Sequence, residues 1–300
     1  TEQHGRETAQ ALWQLTLDNR ASLTSTADRL GVEAERSGSF VLATNAEETA
    51  LLRTSAKMLQ ADGFEVDFEE KDPFDRGFFA AMHYQEDVRV DAAALAKGLF
   101  DAHKLPIHTN TEVYRLEQDG DDVLVMARGR VVRASTVVLA VNAYAPLIDN
   151  YFSDKIAPVR GHTVFTSSVD ERLVTTPGNA GPFSFRQDSN GHLLFSAWPQ
   201  RYETPAAGPG DVNTEIDLMR FVGRYFPEVT DQFTRRESSV MGISRDTLPL
   251  IGALPHLPQV FFAVGFAGNG LSLAFAAADL LTGLIERGAE PDLLSARRLE

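Results

Sequence analysis

From Gly242 to Arg287 the chain passes through a succession of patterns that together leave few folds open. Gly242-Ile243-Ser244-Arg245-Asp246-Thr247-Leu248-Pro249-Leu250-Ile251-Gly252 leads into the apolar run Val260-Phe261-Phe262-Ala263-Val264. Gly265-Phe266-Ala267-Gly268-Asn269-Gly270 comes next, then a mostly apolar stretch from Leu271 to Arg287. A short unbroken apolar run suits a buried strand, and the longer stretch suits a helix. Strand, glycine turn and helix in that order aim backbone N–H groups out of a helix N-terminus, where negative charge is favoured. The glycines allow a flat ring or a phosphate to approach the backbone. Their spacing is GxxGxG, not GxGxxG, and spacing alone is equally compatible with a tight structural connection.

Upstream, Leu12, Trp13, Leu17, Leu23, Ala27 and Leu30 recur at helical spacing and predict a helix over 6–30, ended by Gly31. Val32 to Thr44 is a strand region. A second helix starts at Thr44 or Asn45 with a Glu three residues on as a capping box, and Asp91 caps a third over 92–103. Ile107 to Asn110 reads as a short strand, and Asp119-Gly120 as a hairpin turn between two longer ones. Val131 to Val141 ends in the run Thr136–Val141, which suits a strand covered on both faces. Strands without helices fill 156–198, and a Pro/Gly loop at 205–210 precedes a helix near 213–226 and a strand over 233–243.

Composition removes several classes of function. Twenty-eight basic against 42 acidic side chains give a net charge of −14, which repels nucleic acid. With no cysteine, thiolate catalysis, disulfides and cysteine metal sites are excluded, and the seven histidines lack metal-ligand spacing. No apolar run approaches the roughly 20 residues of a membrane span. No basic start followed by an apolar core opens the chain, which points to a cytoplasmic location.

The string G-x-x-x-D-x-x-P-x-I-G, a strand, G-F-x-G-x-G and an apolar helix resembles the C-terminal signature of D-amino-acid-oxidase-like (DAO family) flavoproteins, most closely the γ-glutamylputrescine-oxidase and glycine-oxidase-like members. Val90–Leu95, Thr111–Val113, Val137–Tyr144 and Pro158–His162 extend the likeness over nearly the whole chain. The resemblance implies an α/β (α+β mixed) fold in which a Rossmann-like FAD-binding layer (1–31, 86–155 and 242–300) is interleaved with a mostly antiparallel substrate-covering sheet (32–85 and 156–241). It implies non-covalent FAD, with Phe266, Ala267, Gly268, Asn269, Gly270 and Leu271 holding the flavin ring. Val113 would contact the adenine, and Ala140, Val141 and Asn142 would line the cofactor channel. The flavin carries the chemistry, so no side chain is named as catalytic.

Two departures stand out. The family opens with a strand, GxGxxG, a helix and an acidic residue, followed by a Gly-Arg-Asn-Gly-type loop, whereas this sequence opens in the helix after them. The expectation is a nucleotide-binding layer incomplete at its N-terminus, binding FAD weakly alone, with its vacated sheet edge exposed or filled by a second chain. The family's amino-acid oxidases also place an arginine where this chain has Ser244, with Arg245 one step later. A one-residue shift on a strand reverses the side chain, which favours an amine over an α-amino acid. Arg245 either reaches round to substrate or pairs with Asp246. His83, Tyr84, Arg186, Trp198 and Tyr202 are further candidates for the substrate pocket.

The function implied is FAD-dependent oxidation of the C–N bond of a small-molecule amine or amino acid, with oxygen as acceptor. The alternative is a non-catalytic remnant or subunit that needs another chain for the nucleotide-binding segment.

Overall fold

The computed structural model describes residues 4–169, 172–199 and 212–300. In chain order its elements are α1 (Arg6–Leu30), β1 (Ala34–Arg36), β2 (Ser39–Ala43), α2 (Ala46–Ala61), β3 (Asp67–Glu69), β4 (Ala80–Tyr84), β5 (Val88–Val90) and α3 (Ala92–His103). There follow β6 (Val113–Asp119), β7 (Asp122–Ala127), β8 (Arg130–Ala134), β9 (Val137–Leu139), α4 (Ala145–Ile148), β10 (Ile156–Ser168), β11 (Gly178–Ala180), β12 (Phe183–Gln187) and β13 (His192–Ala197). The chain closes with α5 (Val212–Tyr225), β14 (Phe233–Ser244), β15 (Leu250–Leu254), β16 (Leu257–Val264) and α6 (Gly270–Arg287).

Local chemistry sets the helix ends. Gly31 closes α1 in the left-handed conformation. Asn45 caps α2 by accepting from Glu48 N, while Glu48 reaches back to the Thr44 N–H at 2.7 Å. Asp91 caps α3 through Ala93 N and Ala94 N.

A large sheet in the order β14-β10-β13-β12-β11-β2-β4-β3 is antiparallel except where β11 meets β2. One face packs on α5, with Phe40, Leu42, Val164, Phe185 and Phe195 against Leu218, Phe221 and Val222. Val41, Met82 and Tyr84 point the other way, towards α2. A smaller sheet, β15-β16-β9, carries Val137, Leu139, Val260 and Phe262 on a face buried with the β6-β7-β8 meander. Its opposite face presents Phe261 and Ala263 to α6 and α1.

Three expectations are corrected. Residues 107–110 form no strand. The smaller sheet holds both Val260–Val264 and the core of Thr136–Val141 as a parallel pair, but it is not mostly parallel, because β15 and β16 form a hairpin. The run 136–141 is also not covered on both faces: β9 is an edge strand, and Val138, opposite Phe261 but beyond the reach of α6, is 46% exposed.

The turn after β14 is tied to the C-terminus by Asp246, which accepts from Arg298 Nε at 2.6 Å and Nη2 at 3.0 Å. Burial pushes the Asp246 carboxyl up, but Arg298, the Leu248 N–H and the Ser244 hydroxyl together hold it below its ordinary value. A depressed carboxyl contributes stability that is present above its unfolded value and lost as pH falls through the folded one. Arg298→Met is therefore expected to cost about 1.5–3 kcal/mol near neutral pH, with the deficit shrinking below about pH 4. Urea denaturation of both proteins across that range checks the sign.

Candidate functional site

The chain leaves β16 through a turn held by backbone geometry and one side chain. Gly265 takes φ 77°, and a Cβ there would stand 2.6 Å from Ile156 Cδ1. Phe266 bridges to Ile243, and Ala267, itself left-handed at φ 48°, donates its N–H to Gly242 O at 2.9 Å. Asn142, three residues past the end of β9 and left-handed at φ 43°, accepts from Gly265 N at 2.9 Å and Phe266 N at 3.2 Å. Gly242 must be glycine for this latch, since a Cβ would meet Ala143 N at 2.7 Å and Asn142 Oδ1 at 2.8 Å.

The outcome is a helix start without a cap. Asn269, the residue before α6, makes no side-chain cap, and its own N–H is taken by Phe266 O. Gly270, Leu271 and Ser272 have no earlier helical carbonyl to bond, and among the described residues none of their amides is paired outside the helix. Helix N-termini ordinarily satisfy these groups by capping, water or a ligand. Gly268 and Gly270 have open space where a Cβ would stand. All this lies at the C-terminal ends of the parallel strands β9 and β16, the edge at which open α/β sheets bind ligands.

A cleft of about 980 Å³ opens beside that helix start. Asn269, Leu271 and Ser272 form one side, α1 a second, and Ser39, Val41 and Tyr84 of the large sheet a third. Trp13 of α1 packs against Tyr84 at 5.3 Å and Phe64 at 5.9 Å, giving an aromatic wall. Burial first, and the charge of Asp87 second, raise the Tyr84 phenol well above its ordinary value, so it stays protonated. The charged lining is mostly acidic: Glu7, Asp62, Glu65, Glu86 and Asp87 against Arg20, which faces Asp87 at 3.9 Å.

The structure sets Ala140, Val141 and Asn142 just beyond β9, at the same sheet edge as Phe266–Leu271, but of these residues only Asn269 and Leu271 line the cleft itself. Phe266 contributes its backbone there, while its ring packs into the core under α6. Asn142 spends its carbonyl oxygen on the turn. Val113 lies apart on the meander, outside the cleft lining. Arg245 pairs with neither substrate space nor Asp246: it is exposed and bound to Asp154 at 3.1 Å, while Ser244 is buried and donates to Leu248 O. His83 turns to the α5 face of β4 and stacks on Phe40 at 4.2 Å, so Tyr84, not His83, faces the cleft. Trp198 packs over Gly161 and lines a separate pocket with Phe183 and Phe221. Arg186 is exposed on β12. Tyr202 and the 205–210 loop lie outside the described residues.

Trp13 and Leu17, which marked α1 only by their helical spacing, line the cleft. Arg20 and Asp87 were missed, since nothing local marks two charges from separate elements as neighbours. Among the described residues no cluster of three or more His, Asp or Glu is arranged to hold a metal, and no helix is long and apolar enough to cross a membrane.

The profile of the family described as FAD dependent oxidoreductase (DAO) matches residues 2–284. Glycine oxidase of Bacillus subtilis (strain 168) is 24% identical over 284 residues, spanning 90% of this chain and 74% of that protein. The crystal structure of glycine oxidase from Geobacillus kaustophilus superposes with a TM-score of 0.79 at 22% identity, covering 91% of this chain and 79% of that one. L-proline dehydrogenase from P. horikoshii also gives 0.79, at 16% identity, covering 95% and 82%.

The turn supplies a matched pair of tests. Gly265→Ala forces a side chain into the left-handed region and against Ile156, and is expected to cost at least about 1–2 kcal/mol. Gly268→Ala meets open space at an ordinary φ and should change stability by less than about 0.5 kcal/mol. Urea titration of the two variants checks the contrast.

Proposed function

Because the chain belongs to the DAO family of FAD dependent oxidoreductases, we propose that it oxidises the C–N bond of a primary or secondary amine in the cleft beside α6. The observation that carries this reading is the uncapped start of α6, with its open Gly268 and Gly270. That donor set suits FAD: the three free amides and the positive end of the helix dipole would hold a flavin there and would stabilise negative charge on it. Gly268 and Gly270 leave room for a flat ring to lie on the backbone. Ala140 and Val141 would line the same channel and Val113 would meet the adenine. Bound there, FAD supplies the hydride acceptor for C–N oxidation, with oxygen as the proposed final acceptor.

The other residues act by positioning and exclusion. Trp13, Phe64 and Tyr84 keep water from the cleft and offer ring faces to a cation. Of the lining carboxylates Asp62 and Glu86 are bound to Arg6 and Arg36, and Glu7 and Glu65 are the ones placed to attract an ammonium group. Arg245 is held by Asp154 and Ser244 is buried, so the end of β14 presents no guanidinium to a carboxylate. An amine is therefore favoured over an α-amino acid, although glycine oxidase and L-proline dehydrogenase stand among the similar proteins. A second reading, a subunit completed by another chain that supplies the nucleotide-binding segment, is favoured by one observation. The outer edge of β9 has no strand partner among the described residues, and Val138 beside it is exposed.

FAD titration of the purified chain, followed by anaerobic addition of amines and amino acids, tests the proposal. Amines are expected to bleach the bound flavin with kcat/KM at least about tenfold above their α-carboxylated counterparts, the scale of one missing charged hydrogen bond. Gly268→Leu should lose FAD while keeping its circular dichroism and melting temperature. Full flavin occupancy in that variant would overturn the site.

A further inference from the structure

Asn19 lies in the middle of α1, where asparagine is a weak helix former, and it is only 2% exposed. Its carboxamide makes no bond within its own helix. Nδ2 donates to Leu271 O at 3.0 Å, and Oδ1 accepts from Phe275 N at 2.9 Å and Ala276 N at 3.2 Å. Leu271 O and Phe275 N are an i, i+4 pair, the two ends of one rung of the α6 ladder. A side chain inserted at a rung is a recognised cause of helix bending. The rung follows directly on the turn that carries the free amides of Gly270, Leu271 and Ser272.

Apolar contacts already join the helices, since Leu23 and Ala27 pack with Phe275, and Leu12 and Leu15 with Ala277 and Leu281. A leucine at 19 would extend that seam without a polar group to desolvate. The asparagine instead grips the backbone of α6 at three points, with both a donor and an acceptor and without charge. Aspartate would accept from the same two amides, but it would repel Leu271 O and place a negative charge next to the helix start.

We propose that Asn19 is a positioning residue for the flavin. It sets the direction of the first turn of α6 from α1, the helix that also carries the cleft residues Trp13, Leu17 and Arg20. The inference rests on the reading that FAD sits at the start of α6. Neutrality is part of the role, because charge that grows on the flavin as it is reduced is felt at this helix end.

The test compares wild type, Asn19→Asp and Asn19→Leu. In flavin-free protein, Asn19→Leu should speed amide exchange of Phe275 and Ala276 by about tenfold or more, because both lose a buried acceptor. With FAD, Asn19→Leu should weaken binding by about tenfold. Asn19→Asp should disfavour the reduced over the oxidised flavin by about tenfold, a fall of about 30 mV in the two-electron midpoint. A residue that merely glues the helices would lower the melting temperature of both variants and leave FAD affinity and midpoint unchanged; that result overturns the proposal. If Asn19→Asp does not fold, unchanged affinity and exchange in Asn19→Leu overturn it equally. Failure of the functional reading looks different: wild type would then take up FAD without protecting 266–272 from exchange, and that too removes the proposal.

Discussion

Asn142 holds together three segments far apart in sequence. Its side chain reaches Gly265 and Phe266 from a left-handed backbone, and the same oxygen stands 2.8 Å from where a Cβ on Gly242 would go. Beyond β9, beyond β16 and near the end of β14, the chain thus converges within hydrogen-bonding distance of one amide group. With the turn fixed by Asn142 and by the bond from Ala267 to Gly242, α6 has to begin at Gly270 without a cap. An uncapped helix end is a standing cost unless something outside the helix meets its amides. Here the helix end borders a cleft, which is why the proposed flavin site is placed there.

The two sheets divide the remaining work. β15-β16-β9, covered by α1 and α6 on one face and by the meander on the other, fixes where the helix starts. The large sheet is anchored by the aromatic core under α5 and turns Ser39, Val41 and Tyr84 towards the same space. Alternation along β4 decides that Tyr84 faces the cleft while His83 stacks on Phe40. α1 belongs to both regions, since it packs against α6 and also supplies the aromatic wall through Trp13.

Features governed by near neighbours were legible in the sequence. The spans of α1 and α3, the caps at Asn45 and Asp91 and the hairpin at Gly120 follow from periodicity and capping residues within a few positions. The strand, glycine turn and helix at 260–287 were legible for the same reason, although the strand begins earlier, at Leu257. Other features depend on contacts across the fold. β15 hides in a string dense with proline and glycine, because only its pairing with β16 makes it a strand. Val138 reads as buried until the edge position of β9 is known. Arg245 stands beside Asp246 in sequence, yet Asp246 is taken by Arg298 from the C-terminus and Arg245 turns to Asp154. Asn19 is an ordinary polar residue, and Asn142 is marked only by the family resemblance, until their partners, more than a hundred positions away, are folded against them.

Amide hydrogen exchange along the chain, with and without FAD, tests the central claim most directly. The account predicts that FAD slows exchange in 266–272, where the free amides of α6 face the cleft, and leaves the α5 core, already protected, unchanged. FAD that binds and leaves 266–272 exchanging at its flavin-free rate would contradict it.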